Sequence, residues 1–201
     1  MNSDSARHHV RIPPLESPYS SEVAAVLGKM MPANSPVEPL KLFRTLAHNL
    51  PMASAMQAMG SYLLGKAFSV SRREREIVID RVCARCDCEY EWGVHALAWG
   101  PRVGLTGPQL AATATSGPDH PVWSAEERLL IRMVDELHDT LRLSDDLWGQ
   151  LGQHWSPEQL LDLLLLTGWY HAICFMANGA RVELEQWAVR FPATSPAVDQ
   201  C

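Results

Sequence analysis

The sequence predicts an all-helical protein. Three observations carry that reading: apolar residues recur in helical stripes along most of the chain, helix-start signals are repeated, and the two-residue alternation of a half-buried strand is absent. The pattern places helices at residues 20–30, 38–49, 52–65, 71–86, 89–99, 106–115, 124–139, 144–153, 156–179 and 183–189.

The starts justify these elements in order. Ser71-Arg72-Arg73-Glu74 is a capping box, in which the Ser hydroxyl accepts from the Glu N–H and the Glu carboxylate reaches back to the Ser N–H. Thr106-Gly107-Pro108-Gln109 is a weaker copy, and Ser124-Ala125-Glu126-Glu127 repeats the device. Asp145 and Asp146 follow Ser144, where the helix dipole favours negative charge. Ser156-Pro157-Glu158-Gln159 opens the longest apolar run, with Pro at a position that needs no N–H. Gly100-Pro101 and Gly117-Pro118 mark stops. The spans 71–86 and 124–139 resemble each other, each beginning Ser-x-x-Glu before an apolar stripe.

The chain has 201 residues, which suits one domain with tails: an extended arm over 1–20, a helical domain over 21–190 and a flexible tail over 191–201. With 47% hydrophobic and 20% charged residues it is ordinary for a folded domain. A formal net charge of −6 repels phosphate backbones, so nucleic acid is not an expected partner. The run from Leu160 to Ala177 is interrupted by Asp162, Thr167, Gly168 and His171, which reads as a buried or subunit-interface helix rather than a membrane span. Five cysteines and no apolar leader in the opening residues point to free thiols in a reducing, cytoplasmic setting.

The segment Arg72 to Gly100 concentrates the chemistry. Cys88, Glu91 and His95 stand at i, i+3 and i+7, on one helical face. Cys88 and Glu91 lie in the first turn, where unpaired N–H groups favour a thiolate or carboxylate. Glu76, in the preceding helix, can fold back against that face. A Glu and a His so spaced are commonly a solvated surface pair, and Trp92 and Trp99 show that the helix also packs. Tyr90 is either a hydrogen-bonded core residue or a site member. His171 and His138 read as core or interface residues, with His171 a further pocket candidate. Zinc on Cys83, Cys86, Cys88 and His95 is disfavoured because His95 lies nearly two turns into the next helix. No metal is expected.

Arg-Glu-Arg-Glu at 73–76 followed by Cys-Glu-Tyr-Glu-Trp-Gly-Val-His at 88–95 resembles the signature of the carboxymuconolactone decarboxylase / alkylhydroperoxidase-D-like family. Gly104-Leu105-Thr106, Trp123 to Arg128, Asp135-Glu136-Leu137-His138 and Leu166 to His171 extend the resemblance over about residues 35–185. In the peroxidase members the pattern is Glu-x11-Cys-x2-Cys-x3-His. Here the Glu falls on Glu76, the first Cys on Cys88 and the His on His95, but the second Cys falls on Glu91. A thiolate that attacks peroxide needs a second thiol to resolve its sulfenic acid, and Cys88-x2-Glu91 does not provide one. Decarboxylase members carry Glu near that place.

The resemblance therefore implies an oligomeric helical bundle and a cofactor-independent lyase acting on a small cyclic or lactone carboxylic acid through Glu76, Glu91 and His95. A thiol peroxidase using Cys88 and a non-catalytic small-molecule-binding scaffold are the alternatives. A homo-oligomer (dimer, trimer or hexamer) is expected on the same ground, and also because so apolar a helix set exceeds what one core hides.

Overall fold

A computed structural model describes residues 9–32, 35 and 37–193. The N-terminal end of the expected arm and nearly all of the expected tail, with Cys201, lie outside these residues. Among the described residues the structure is all-helical: α1 (Ser21–Met30), α2 (Lys41–Leu46), α3 (Leu50–Leu63), α4 (Arg72–Arg85), α5 (Glu89–Ala98), a 3-10 turn (Gly100–Val103), α6 (Gly107–Thr115), α7 (Ala125–Thr140), α8 (Asp145–Leu151) and α9 (Pro157–Ala180). All four capping boxes form, on Ser71, Thr106, Ser124 and Ser156.

Most boundaries fall within two residues of the sequence expectation, and three segments need comment. Helix α2 spans six residues instead of twelve, beginning only after Pro39. Helix α3 starts at Leu50 because the Asn49 side chain accepts from the Met52 N–H and Pro51 occupies the first turn. The helix expected at 183–189 does not form; that segment runs as coil and turn. Its carboxylates are engaged elsewhere: Glu183 pairs with the Lys41 ammonium at 3.1 Å, and Glu185 accepts from the Lys41 N–H at 2.6 Å and the Tyr90 hydroxyl at 2.7 Å. Such anchors outweigh the weak propensity of a seven-residue helix.

Helix α4 is the central element, packing against α5, α6, α7 and α9, and every residue from Arg75 to Cys83 is buried. A helix enclosed on all sides must give each internal charge a partner. Arg81 donates bidentately to Asp135 at 2.7 and 2.8 Å and also reaches the Thr113 and Ser116 carbonyls. Arg73 pairs with Glu127, and Arg85 with Asp139. Each of these three pairs joins residues 54 apart in sequence, so α4 and α7 run parallel, in register. The two spans that resemble each other in sequence are thus neighbours in space.

Helix α4 ends in a Schellman turn. Asp87 takes a left-handed conformation (φ 49°), its N–H bonds to the Ala84 carbonyl at 3.1 Å, and the Cys88 N–H bonds to the Cys83 carbonyl at 2.8 Å. That turn folds α5 back along α4. By length and apolar composition α9 could cross a membrane, but half of its most apolar window is buried within the protein. Asp162, buried on α9, accepts from Tyr62, from the Ser69 N–H and from the Ser69 hydroxyl.

Candidate active site

The hairpin of α4 and α5 brings Glu76 against His95. Glu76 Oε2 lies 2.7 Å from His95 Nδ1, and its other oxygen lies 3.2 Å from Arg75 Nε. A carboxylate can only accept, so Nδ1 carries the proton and the ring is fixed with Nε2 pointing away from Glu76. Nε2 faces Glu91 Oε2 at 3.6 Å and Tyr170 Oη at 3.2 Å. The Tyr170 ring meets the imidazole edge-on, with centroids 5.3 Å apart. All four side chains are buried.

Glu91, His95 and Tyr170 form the polar part of a cavity of about 500 Å³. Leu42, Phe43, Leu46, Met56, Trp169 and Ile173 supply apolar walls, and Lys29 and Arg102 reach the same cavity from exposed positions. Arg102 lies over the Trp99 ring, 5.3 Å from its centroid. A mostly apolar cavity with a few convergent polar groups is the usual form of a small-molecule site.

The electrostatics are set by burial and by the crowding of acids. Burial alone would lower the His95 pKa. The Glu76 carboxylate, through its charge and its hydrogen bond, outweighs it and raises the value to about 9, so the ring is cationic at neutral pH. Burial raises the Glu91 acid, while the His95 charge pulls it back. This corrects the expectation that a first-turn position stabilises its carboxylate: burial is the larger effect. Burial also keeps Tyr170 a phenol, well above its ordinary pKa.

Other candidates lie elsewhere. Tyr90 is a structural tie, accepting from the Leu42 N–H at 3.0 Å and donating to Glu185. Cys88 precedes α5 and is fully buried outside the cavity lining. Cys83 and Cys174 are likewise buried, with sulfurs 4.0 Å apart, and burial raises the Cys83 thiol. His171 is also outside the cavity, on a different face of α9 from Tyr170.

Two groups near His95 escaped the sequence reading of the site. On α9 the sequence points to His171, whereas the residue that reaches His95 is its neighbour Tyr170. Asp80 stands one turn beyond Glu76 on α4, at a spacing that could have drawn it in. It is fully buried, and neither carboxyl oxygen has a hydrogen-bonding partner among the described residues. Burial, then the nearby Glu76, drives its pKa well up against the pull of His95.

No protein-family model matches the sequence, and no curated protein matches it at a significant level. Solved structures do resemble it. An uncharacterised peroxidase-related protein from Silicibacter sp. TM1040 superposes with a TM-score of 0.73 at 15% identity, covering 96% of this chain and 100% of that one. An alkylhydroperoxidase-D core protein from Ralstonia eutropha JMP134, also peroxidase-related, gives a TM-score of 0.71 at 16% identity, covering 87% and 93%. A cysteine-to-alanine form of the debrominase Bmp8, in complex with 2,3,4-tribromopyrrole, gives 0.69 at 11% identity, covering 89% and 94%. At such identities the likeness is one of fold, and the chain has the alkylhydroperoxidase-D-like fold.

Proposed function

We propose that this chain is a cofactor-independent acid–base enzyme that decarboxylates, or isomerises by proton transfer, a small cyclic carboxylic acid. The observation that carries the reading is the Glu76–His95 pair opening through Nε2 into a mostly apolar cavity beside Glu91 and Tyr170. Lys29 and Arg102 on the same cavity suit an acidic substrate. The debrominase of the same fold binds a small ring compound, which agrees in substrate size.

In the decarboxylation, the bond to the carboxylate carbon breaks and CO2 leaves. Its electron pair stays on the ring carbon and delocalises into an adjacent carbonyl. The cationic His95 donates from Nε2 to the developing oxyanion, with Glu76 holding the ring in place. Glu91 serves as the acid that passes a proton to carbon, and that proton is replaced from solvent. Glu91 suits this step better than Glu76, which is engaged by His95 and Arg75 outside the cavity lining. The thiol-peroxidase alternative is less well supported: Cys88 is fully buried away from the cavity, and a hydroperoxide entering there meets Glu91 instead of a thiol.

The test is release of CO2, or solvent deuterium entering product carbon, across a panel of cyclic keto and lactone carboxylic acids. Wild type is expected to turn over at least one of them. His95→Ala and Glu91→Gln should each lower kcat by roughly 100- to 10,000-fold while the acid still binds. Saturable binding without turnover by wild type would leave a binding scaffold, and full activity in either variant would remove the assigned roles.

A further inference from the structure

Away from the cavity, three side chains with metal-ligand chemistry converge from three helices. Cys86 caps the end of α4, His138 lies in the last turn of α7, and His171 lies midway along α9. Cys86 Sγ is 4.0 Å from His138 Nδ1, and that nitrogen is 3.0 Å from His171 Nε2. One donor atom from each residue lies within 4.8 Å of the other two, and all three residues are partly exposed.

The orientation of His171 is set by the backbone. Its Nδ1 lies 2.8 Å from the Thr167 carbonyl oxygen, one helical turn earlier. A carbonyl cannot donate, so Nδ1 carries a proton and Nε2 is the ring nitrogen directed at the cluster. Metal-binding histidines are held in this way, by a hydrogen bond from the nitrogen that does not ligate. Tetrahedral zinc bonds of about 2.3 Å to sulfur and about 2.0 Å to nitrogen would set donors roughly 3.3–3.6 Å apart. The observed 4.0 and 3.0 Å reach that geometry with shifts of about half an ångström, within side-chain reach. One thiol and two imidazoles, with no carboxylate among them, suit zinc-class ions and not magnesium or calcium.

We propose that Cys86, His138 and His171 form a three-ligand site for a zinc-class divalent metal ion, with solvent in the fourth position. Binding moves the His138 proton from Nδ1 to Nε2 and displaces the one proton that Cys86 Sγ and His171 Nε2 hold between them, which leaves to solvent. The site shares no residue with the Glu76–His95 cavity, and it holds or fails independently of the function proposed above.

Metal-stripped, reduced full-length protein titrated with cobalt(II) tests it. One cobalt per chain is expected, with sulfur-to-cobalt charge-transfer absorption and the intense visible bands of a four-coordinate ion, displaced by one equivalent of zinc. Cys86→Ser should abolish the charge-transfer band. His171→Ala should weaken binding by more than the roughly 10- to 100-fold typical of losing an outer-shell partner, and His95→Ala should bind as wild type. Zinc should also slow alkylation of Cys86 in the wild-type protein, read by mass, which needs no variant to fold. Absence of the band at stoichiometric cobalt, its persistence in Cys86→Ser, its loss in His95→Ala, or alkylation indifferent to zinc would each overturn the proposal.

Discussion

A cationic imidazole enclosed by acids makes stability depend on pH in a defined direction. His95 holds its proton up to about 9 in the folded protein against 6.5 ordinarily. Its stabilising contribution is therefore fully present below about pH 6.5 and lost as pH rises through about 9. Glu91 and Asp80, both raised, add declines of the same sign. Denaturant midpoints should fall across that window, and His95→Gln should make the fall shallower; a curve of unchanged slope in the variant would locate the titration elsewhere. At this scale the sequence was legible where chemistry follows spacing within one hairpin, as for Glu76, Glu91 and His95. It was not legible on α9. Tyr170 and His171 are adjacent in sequence and about 100° apart around a helix, and only packing decides which of the two enters the cavity.

Elements with a local start signal were readable. Ser71, Ser124 and Ser156 cap their helices through bonds spanning three residues, so no distant contact is needed to place them. The segment 183–189 was misread because its conformation is set by Lys41 and Tyr90, more than ninety positions away. Of the three arginines along the parallel seam between α4 and α7, Arg81 is the most buried. Asp135→Ala would leave its guanidinium enclosed without a carboxylate and should cost about 3 kcal/mol in urea unfolding; a cost near zero would mean the Thr113 and Ser116 carbonyls suffice. At the C-terminal end of α7, Leu141 closes the helix at φ 60° with 85% of its surface exposed. Leu141→Gly relieves that left-handed backbone with little packing lost, and a gain of about 0.5–1 kcal/mol is expected. A destabilised variant would show that the leucine packs.

For the whole molecule, the unpaired surface of α9 is the informative feature. Leu161, Leu165, Gly168, Ala172, Phe175 and Gly179 are its exposed apolar and small residues, spaced four, three, four, three and four apart. That is the spacing of a coiled-coil seam, and it extends over about 27 Å. We therefore expect the chain to self-associate through α9. Sedimentation should give a mass above the 22.4 kDa of one chain, and Leu161→Glu combined with Phe175→Glu should return it to that value. A monomeric wild type would leave the stripe without this role.

The candidate site also has a chronology. The Glu76–His95 bond closes over 19 residues, whereas Tyr170 reaches the same imidazole across 75. Shorter loops cost less entropy to close, so the α4–α5 hairpin can assemble the acid–base pair before α9 docks over it. On that order of events, apolar truncations between α4 and α5 should slow refolding, whereas Tyr170→Phe should mainly hasten unfolding. The pair would exist transiently as an exposed ion pair in a half-built protein, and the arrival of α9 would be the step that takes it out of water.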